Sequence, residues 1–139
     1  MATTLEFDII TPSAAKFQGK AEIVVAPGGA GDLAALPQHA PMLTTLRIGV
    51  LRATVVEDTG TRRLELAVNG GFMQITPAKV IVLTDVALAA DEIDADAAQR
   101  EQKRAEESLA QKRGSDDSAE RSAAAWAAAK LEVARKRIV

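Results

Sequence analysis

The segment Val24–Leu51, VVAPGGAGDLAALPQHAPMLTTLRIGVL, decides how this sequence is interpreted. It holds the only histidine of the chain, three of its five prolines and four of its nine glycines, set between apolar runs. Proline fixes φ and removes a donor, whereas glycine permits backbone shapes that other residues avoid. The segment therefore predicts a shaped surface loop between strands, a common place for functional residues. An ordinary connection that needs its turns explains the same composition equally well.

The sequence around this loop predicts short strands. Leu5, Phe7 and Ile9 alternate with polar residues, which is the period of a half-buried strand. Further strands are predicted around residues 22–26, 49–56, 64–68, 71–76 and 79–84. Asn69-Gly70-Gly71 predicts a turn that ends the 64–68 strand. Strands at this spacing without intervening helices favour an antiparallel sandwich or barrel.

The composition changes near residue 89, and the remainder predicts two helices. Residues 1–90 contain 15 of the 36 Asp, Glu, Lys and Arg residues, and the last 49 residues contain 21. Helix-forming residues run from about Asp94 to Arg113 and from about Ser118 to Arg137. The break between them, residues 114–117 (GSDD), offers a helix stop and a new cap. We expect an α+β chain with a β-domain over residues 1–88 and an antiparallel helical hairpin over 89–139.

The predicted hairpin has a thin apolar seam. Alanines allow close approach but bury little area, and each buried CH₂ contributes only about 0.8 kcal/mol. The helices should therefore hold weakly to each other or to the sandwich, which suggests a movable element; a static hairpin is the alternative. Trp126 is either a binding anchor or the largest packing residue of the hairpin. The seam consists of Ala98, Ala105 and Leu109 on the first helix and Ala119, Ala123, Ala127 and Leu131 on the second.

Composition excludes several function classes. The net charge is −2 and only 3% of the residues are aromatic, so the composition gives no basis for nucleic-acid binding. The chain has no cysteine and one histidine, so neither a metal site nor a bound cofactor is predicted. The sequence has no apolar run of about 18 residues, so no membrane span is predicted. Asp32 and His39 could form an acid–base pair, but a lone loop histidine is more often a surface contact, and no enzyme activity is expected.

Three blocks of the sequence carry a family resemblance. Gly31-Asp32-Leu33 followed by Leu36–Thr44 (LPQHAPMLT) is similar to a G-E-L…P-G-H-A-P-L-L-T pattern, with Gln38 at the usual glycine. Residues 68–72 (VNGGF) and 79–85 (KVIVLTD) form the second block, and Ile93-Asp94, opening a charged helix, is the third. With these motifs the chain resembles the ε subunits of bacterial F-type ATP synthases, whose mitochondrial counterpart is called δ.

The resemblance implies a specific fold, role and set of partners. It implies a β-sandwich of about ten strands, followed by a regulatory α-helical hairpin. The protein is then expected to be a non-catalytic central-stalk subunit that couples proton-driven rotation to ATP synthesis. Its expected partners are the γ subunit, the ring of c subunits and the catalytic α/β head. By motif match, Asp32 and His39 would contact the c ring. The expected location is the cytoplasmic face of the bacterial inner membrane, peripheral to it through the complex.

The resemblance also assigns a regulatory role to the hairpin. In some relatives it extends and blocks ATP hydrolysis, so we expect weak inhibition here. The candidate basic contacts are Arg121, Lys130, Arg135, Lys136 and Arg137. Solvation and matching to the helix dipole explain the last three as well.

A nucleotide motif of some relatives, Ile/Leu-Asp-x-x-Arg-Ala, is degenerate in this sequence. Ile93, Asp94, Ala98 and Arg104 match, whereas Ala97 stands where the phosphate-contacting arginine would be. We therefore expect very weak ATP binding or none. The competing function is a free-standing β-sandwich binding module with a helical tether.

Overall fold

A computed structural model of the chain describes residues 3–112 and 116–135. Within these residues seven strands precede two helices, and a 3-10 turn at Ala90–Glu92 joins the two parts. This order confirms the predicted α+β class. The elements are β1 (Leu5–Ile10), β2 (Ala15–Gly28), β3 (Gly31–Ala35), β4 (Met42–Glu57), β5 (Gly60–Ile75), β6 (Lys79–Leu83), β7 (Ala87–Leu88), α1 (Ala95–Gln111) and α2 (Ser118–Arg135).

Five of the strands close into a ring. The order is β1-β6-β5-β4-β2, and β2 pairs in turn with β1. β3 pairs with the second half of β2, and β7 pairs with β5. Because backbone donors and acceptors on a free strand edge invite pairing with other chains, this closure protects the five ring strands. The predicted sandwich or barrel is therefore present.

Two details of the β-domain differ from the prediction. The number of about ten strands is not confirmed, because β4 and β5 each continue through 16 residues where the sequence predicts shorter segments. The arrangement is also not wholly antiparallel, since β1 and β6 pair in parallel, with Phe7 opposite Val80. No tight hairpin links these two strands, so their relative direction is set by the path of the whole domain.

The predicted turn at Asn69-Gly70-Gly71 is wrong, because strand β5 continues through these residues. Gly70 and Gly71 have φ of 78° and 123°, values that favour glycine. A Cβ on Gly71 would clash with the carbonyl oxygen of Leu83 on β6. These glycines thus permit a bend and a close backbone approach inside a strand, which is the other common use of glycine in sheets.

The domain encloses a core of large side chains. The inward side chains of β1, β4, β5 and β6 are almost completely buried, and the Phe7 and Phe17 rings lie 5.6 Å apart. Each of these side chains contributes about 1.5–3 kcal/mol by burial. The largest fully buried ones are Leu5, Phe7, Ile9, Leu51, Met73 and Ile75.

A second, smaller core joins α2 to the outside of the sandwich. Val50 on β4 lies opposite Ala67 on β5, and this pair packs against Ala129 and Val133 of α2. Trp126 packs against the edge of this cluster, so it is a packing residue here. The sheet is therefore covered on both faces at this point, which explains why Val50 and its neighbour in sequence are both buried.

The two helices form the expected antiparallel hairpin. Glu101 of α1 meets Lys130 of α2, while Lys112 near the end of α1 meets Glu120 near the start of α2. The Asp116 carboxylate accepts hydrogen bonds from the Ser118 backbone and hydroxyl, as predicted for a cap. Residues 113–115, 136 and 137, which entered the helix predictions, lie outside the described residues.

The alanine seam is only partly as predicted. Ala98, Ala105, Ala127 and Leu131 are buried, and Leu109 is half-buried. In contrast, Ala119 and Ala123 are exposed beside a shallow cavity of about 270 Å³ between the helices. The fully buried part of the seam thus lies in the first part of α1 and the second half of α2.

Candidate interaction surfaces

Asp32 lies at the tip of the β2–β3 hairpin and is held by an arginine from a neighbouring strand. Arg47 of β4 forms an ion pair with the Asp32 carboxylate through Nη2. Its other terminal nitrogen, Nη1, donates to the carbonyl oxygen of Gly28 at 2.6 Å. Both charged side chains are about half exposed. The predicted site residue is thus accessible, and it is presented as an ion pair.

His39 lies in a loop that rests on the turn between β5 and β6. The Gln38 N–H donates to the carbonyl oxygen of Pro77 at 2.7 Å, and the His39 N–H donates to that of Leu36. The imidazole Nδ1 lies 2.7 Å from the Ala40 carbonyl oxygen, so Nδ1 carries the proton that this contact needs. Gln38 has a φ of 68°, the conformation that glycine adopts most easily.

The structure gives Asp32 and His39 different partners. The carboxylate bonds Arg47, and the imidazole bonds its own loop. Their acid–base pairing, which the sequence left open, is therefore not formed, although both residues stay accessible for contacts with another subunit.

A contiguous apolar surface covers the outside of four strands. Thr45, Phe72, Leu83 and Ile10 follow one another across β4, β5, β6 and β1 as register partners. Phe72 and Leu83 are 54% and 50% exposed, and Leu43, two residues before Thr45, is 71% exposed. A groove of about 650 Å³ runs beside them. We call this surface, defined by Ile10, Leu43, Phe72 and Leu83, the Phe72 face.

Sequence reasoning missed the Phe72 face. The available signal was the alternation along β5 and β6, where Phe72 and Leu83 fall out of phase with the buried Met73 and Val82. Large apolar residues on the solvent side of a sheet that gather in one patch mark an interaction surface.

The three described basic residues of the hairpin lie in different environments. Lys130 is only 13% exposed, pairs with Glu101 at 2.6 Å and lies 5.4 Å from the Trp126 ring centre. Arg121 forms an exposed ion pair with Asp117, the residue just before α2. Arg135 is exposed at the end of α2. Lys130 is therefore used inside the hairpin, whereas the other two face solvent.

The degenerate nucleotide motif has structural roles. Ile93 packs against the second core, and Ala98 is buried between the helices. The Asp94 carboxylate accepts a hydrogen bond from the Ala97 N–H at 3.1 Å and caps α1. Arg104 is exposed and lines the shallow cavity between the helices. Capping and packing thus account for three of the four residues.

Ion pairs connect the helical part to the sandwich at two places. Arg52 of β4 bonds Glu132 of α2 at 2.6 Å and also approaches Glu65 of β5. Lys16 of β2 pairs with Glu92 at 2.6 Å. The hydrogen bond from Lys16, followed by that from the Ala89 N–H, lowers the pKa of the Glu92 carboxyl below its ordinary value.

Neither helix of the described chain has the length and apolar character needed to cross a membrane.

The chain is similar to known ATP synthase delta and epsilon chains. The family model "ATP synthase, Delta/Epsilon chain, beta-sandwich domain" matches residues 4–90. An ATP synthase epsilon chain from Desulforamulus reducens is 41% identical over 109 residues, covering 78% of this chain and 80% of the relative. One from Desulfitobacterium hafniense is 35% identical over 135 residues, covering 97% and 99%.

A solved structure supports the fold over its whole length. A chain in the Euglena gracilis mitochondrial ATP synthase, OSCP/F1/c-ring in rotational state 1, is similar with a TM-score of 0.74 and 17% identity. The match covers 100% of this chain and 84% of that one.

The structure defines the chain as a closed β-sandwich followed by a helical hairpin, with exposed charged and apolar surfaces on the sandwich. The chain belongs to the family of ATP synthase epsilon chains. The family predicted from the sequence is therefore confirmed, and the free-standing binding module is not favoured.

Proposed function

We propose that the chain works as a non-catalytic central-stalk subunit, which couples rotation of the c ring to ATP synthesis in the catalytic head. Its family membership is the observation that carries this proposal. The molecule also has two unlike surfaces on one rigid sandwich, one apolar and one ion-paired. A subunit that links two partners needs such a pair of surfaces.

The Phe72 face is the proposed contact for the γ subunit. Exposed apolar area is costly in water and becomes favourable when a partner covers it, at about 25 cal/mol per Å². Three large side chains on this face are about half exposed or more. A stable rotor contact requires burial of this kind, because it must persist through rotation.

Asp32 and His39 are the proposed contacts for the c ring. The resemblance assigns these residues to polar ring loops, and both side chains can still bond an external group. Charged groups at such a rim contribute to register and orientation more than to affinity. The chain would then lie at the cytoplasmic face of the inner membrane, attached through the complex.

The hairpin, proposed as residues 89–139 beside a sandwich unit of 1–88, is the regulatory part. Weak inhibition of hydrolysis would need Arg121, Lys130 and Arg135 to reach the catalytic head. Lys130 would first have to leave Glu101 and Trp126. That loss is consistent with inhibition being weak. Calorimetry should detect very weak ATP binding or none, since Ala97 stands at the arginine position.

Co-purification tests the rotor proposal. The tagged full-length chain should recover the γ subunit and the α/β head from solubilised membranes, and Phe72→Asp should reduce recovery of γ at least about tenfold, because a buried unpaired carboxylate costs on the order of 1–3 kcal/mol or more. Thr61→Asp, exposed at the β4–β5 turn, is the matched control and should recover γ normally. Equal recovery with both variants would contradict the assignment of the Phe72 face.

Truncation after Leu88 tests the regulatory proposal. The reconstituted complex lacking the hairpin should hydrolyse ATP modestly faster, with synthesis retained. No change in hydrolysis would make the hairpin a structural element only.

A further inference from the structure

Arg47 bonds both the Gly28 carbonyl oxygen and the Asp32 carboxylate, which is more than an ordinary surface cation does. We propose that Arg47 is the positioning residue that presents Asp32, so that a preformed Asp32–Arg47 ion pair, and not a lone carboxylate, meets the c ring. This inference rests on the proposed function, because it takes the Asp32 end of the sandwich as the ring contact. Nothing in the resemblance assigns a role to Arg47.

The backbone ladder near Arg47 is interrupted, and its side chain spans the gap. Val25 of β2 pairs with Arg52 of β4, but the next pair is Gly28 with Leu46, so two unpaired residues of β2 stand against five of β4. Pro27 lies in this gap and has no N–H to donate. Arg47 bonds the carbonyl oxygen of Gly28 at 2.6 Å from its side chain. A side-chain donor thus ties β4 to β2 where the regular pairing is missing.

The same guanidinium fixes both ends of the β2–β3 turn. Gly28 and Gly31 are the last register pair of the hairpin, and Asp32 follows directly. Nη1 bonds Gly28 before the turn, and Nη2 bonds Asp32 after it. The planar fork of arginine suits two acceptors at a fixed separation, whereas lysine is a point charge on a flexible stem. Loss of the fork would free both the turn and the carboxylate.

The Asp32–Arg47 ion pair also determines which atoms of Asp32 a partner can bond. Arg47 occupies Oδ1 of Asp32, and Oδ2 accepts no hydrogen bond from residues 3–112 and 116–135. A donor on a polar loop of the ring can bond Oδ2 without breaking the pair. Because the pair is neutral overall, long-range attraction should be weak, and association should depend little on ionic strength.

Association of the full chain, in complex with γ, with detergent-solubilised c ring tests the inference. Asp32→Asn and Arg47→Met should each weaken association about two- to five-fold, the range of a surface ion pair. Arg47→Lys should fall between wild type and Arg47→Met. The double variant should be no weaker than either single variant, since both remove one unit. Arg62→Met, which breaks the similarly exposed Arg62–Glu57 pair at the β4–β5 turn, should bind as wild type.

Two further readouts separate positioning from general stability. In the free chain, Arg47→Met should speed hydrogen exchange of the Gly29 amide, which donates to the Thr45 carbonyl oxygen, while the core strands keep their protection. In the complex, Arg47→Met should make association more dependent on salt, because the carboxylate is left unpaired.

The outcomes distinguish this inference from the proposed function. If Asp32→Asn leaves ring association unchanged, the assignment of Asp32 to the ring contact is wrong, and the inference falls with it. If Asp32→Asn weakens association but Arg47→Met does not, the contact stands and the positioning role of Arg47 is overturned. Strictly additive losses in the double variant would also overturn it, because two independent contacts would then be present.

Discussion

The interior of the sandwich and the contact between α2 and the sandwich are built from different residues. The sandwich buries phenylalanine, leucine, isoleucine and methionine from strands on all sides. The α2 contact buries Ala129 and Val133 against Val50 and Ala67, with two ion pairs at its margins. Since burial energy follows apolar area, the first region holds together strongly and the second only marginally.

This difference means that the stability of each helix and its docking on the sandwich have separate causes. The hairpin sequence is rich in residues that favour helix intrinsically, so the helices do not depend on the sandwich to remain helical. The strands do depend on one another, because an isolated strand has no partner for its backbone groups. We therefore expect the helical part to detach more readily than the β-domain unfolds. The following experiments test how far the two regions differ.

The largest effect is expected from removing a leucine in the sandwich core. Leu51→Ala should lower the free energy of unfolding by about 3–5 kcal/mol, because the buried site cannot collapse around the cavity. Leu131→Ala, at a buried position of α2, should cost about 2 kcal/mol or less in the same denaturant titration, since the hairpin can adjust. Equal losses would mean that the two regions are equally well packed.

A charge placed under α2 should detach the hairpin. Ala129→Glu sets a carboxylate against Val50 and Ala67 and should weaken docking by about 2 kcal/mol, which the molecule relieves by undocking. Hydrogen exchange should then quicken for residues at the sheet-facing side of α2, while β4 and β5 remain protected. The control is Ala128→Glu, one residue away and exposed, for which wild-type exchange is expected.

The ion pair between Arg52 and Glu132 should contribute less. A double-mutant cycle with Arg52→Met and Glu132→Gln should give a coupling of about 0.2–1 kcal/mol for docking, as for other partly exposed pairs. The coupling should shrink at high salt because exposed charges are screened. A coupling near zero at low salt would show that packing alone holds α2.

The smallest effect is expected from pH. Since the Lys16 hydrogen bond lowers the pKa of Glu92 in the folded state, the pair stabilises docking fully above the ordinary value of 4.5. This contribution is lost as pH falls through the lower folded pKa. An NMR titration of Glu92 should show the lowered pKa in wild type and a return towards 4.5 in Lys16→Met. An unchanged pKa in Lys16→Met would rule out this contact as its cause.

Periodicity predicted the main elements of this chain well. Alternation at Leu5, Phe7 and Ile9 identified β1, and the capping residues around Asp94 and Asp116 marked the helix starts. These signals are local, so the sequence contains them directly. The predicted loop is correct for the half-buried His39 but wrong for Asp32, which is exposed in strand β3.

The remaining features depend on contacts between residues that are distant in sequence. Asn69-Gly70-Gly71 is a good turn signal, and only the approach of the Leu83 backbone makes it a bend within β5. The pairing of Arg47 with Asp32 joins positions 15 residues apart, across an irregular ladder that no local pattern reveals. The Phe72 face likewise appears only when β1, β4, β5 and β6 are placed side by side.

The parallel pairing of β1 with β6 has a mechanical consequence. It turns a folded ribbon into a closed tube whose two longest strands, β4 and β5, extend about 50 Å each at 3.3 Å per residue if straight. A twisting load applied at one end of such a tube is shared as shear by the ladders of the five ring strands, none of which has a free edge. We expect the ring of strands to twist less under such a load than the loops and the helical attachment do.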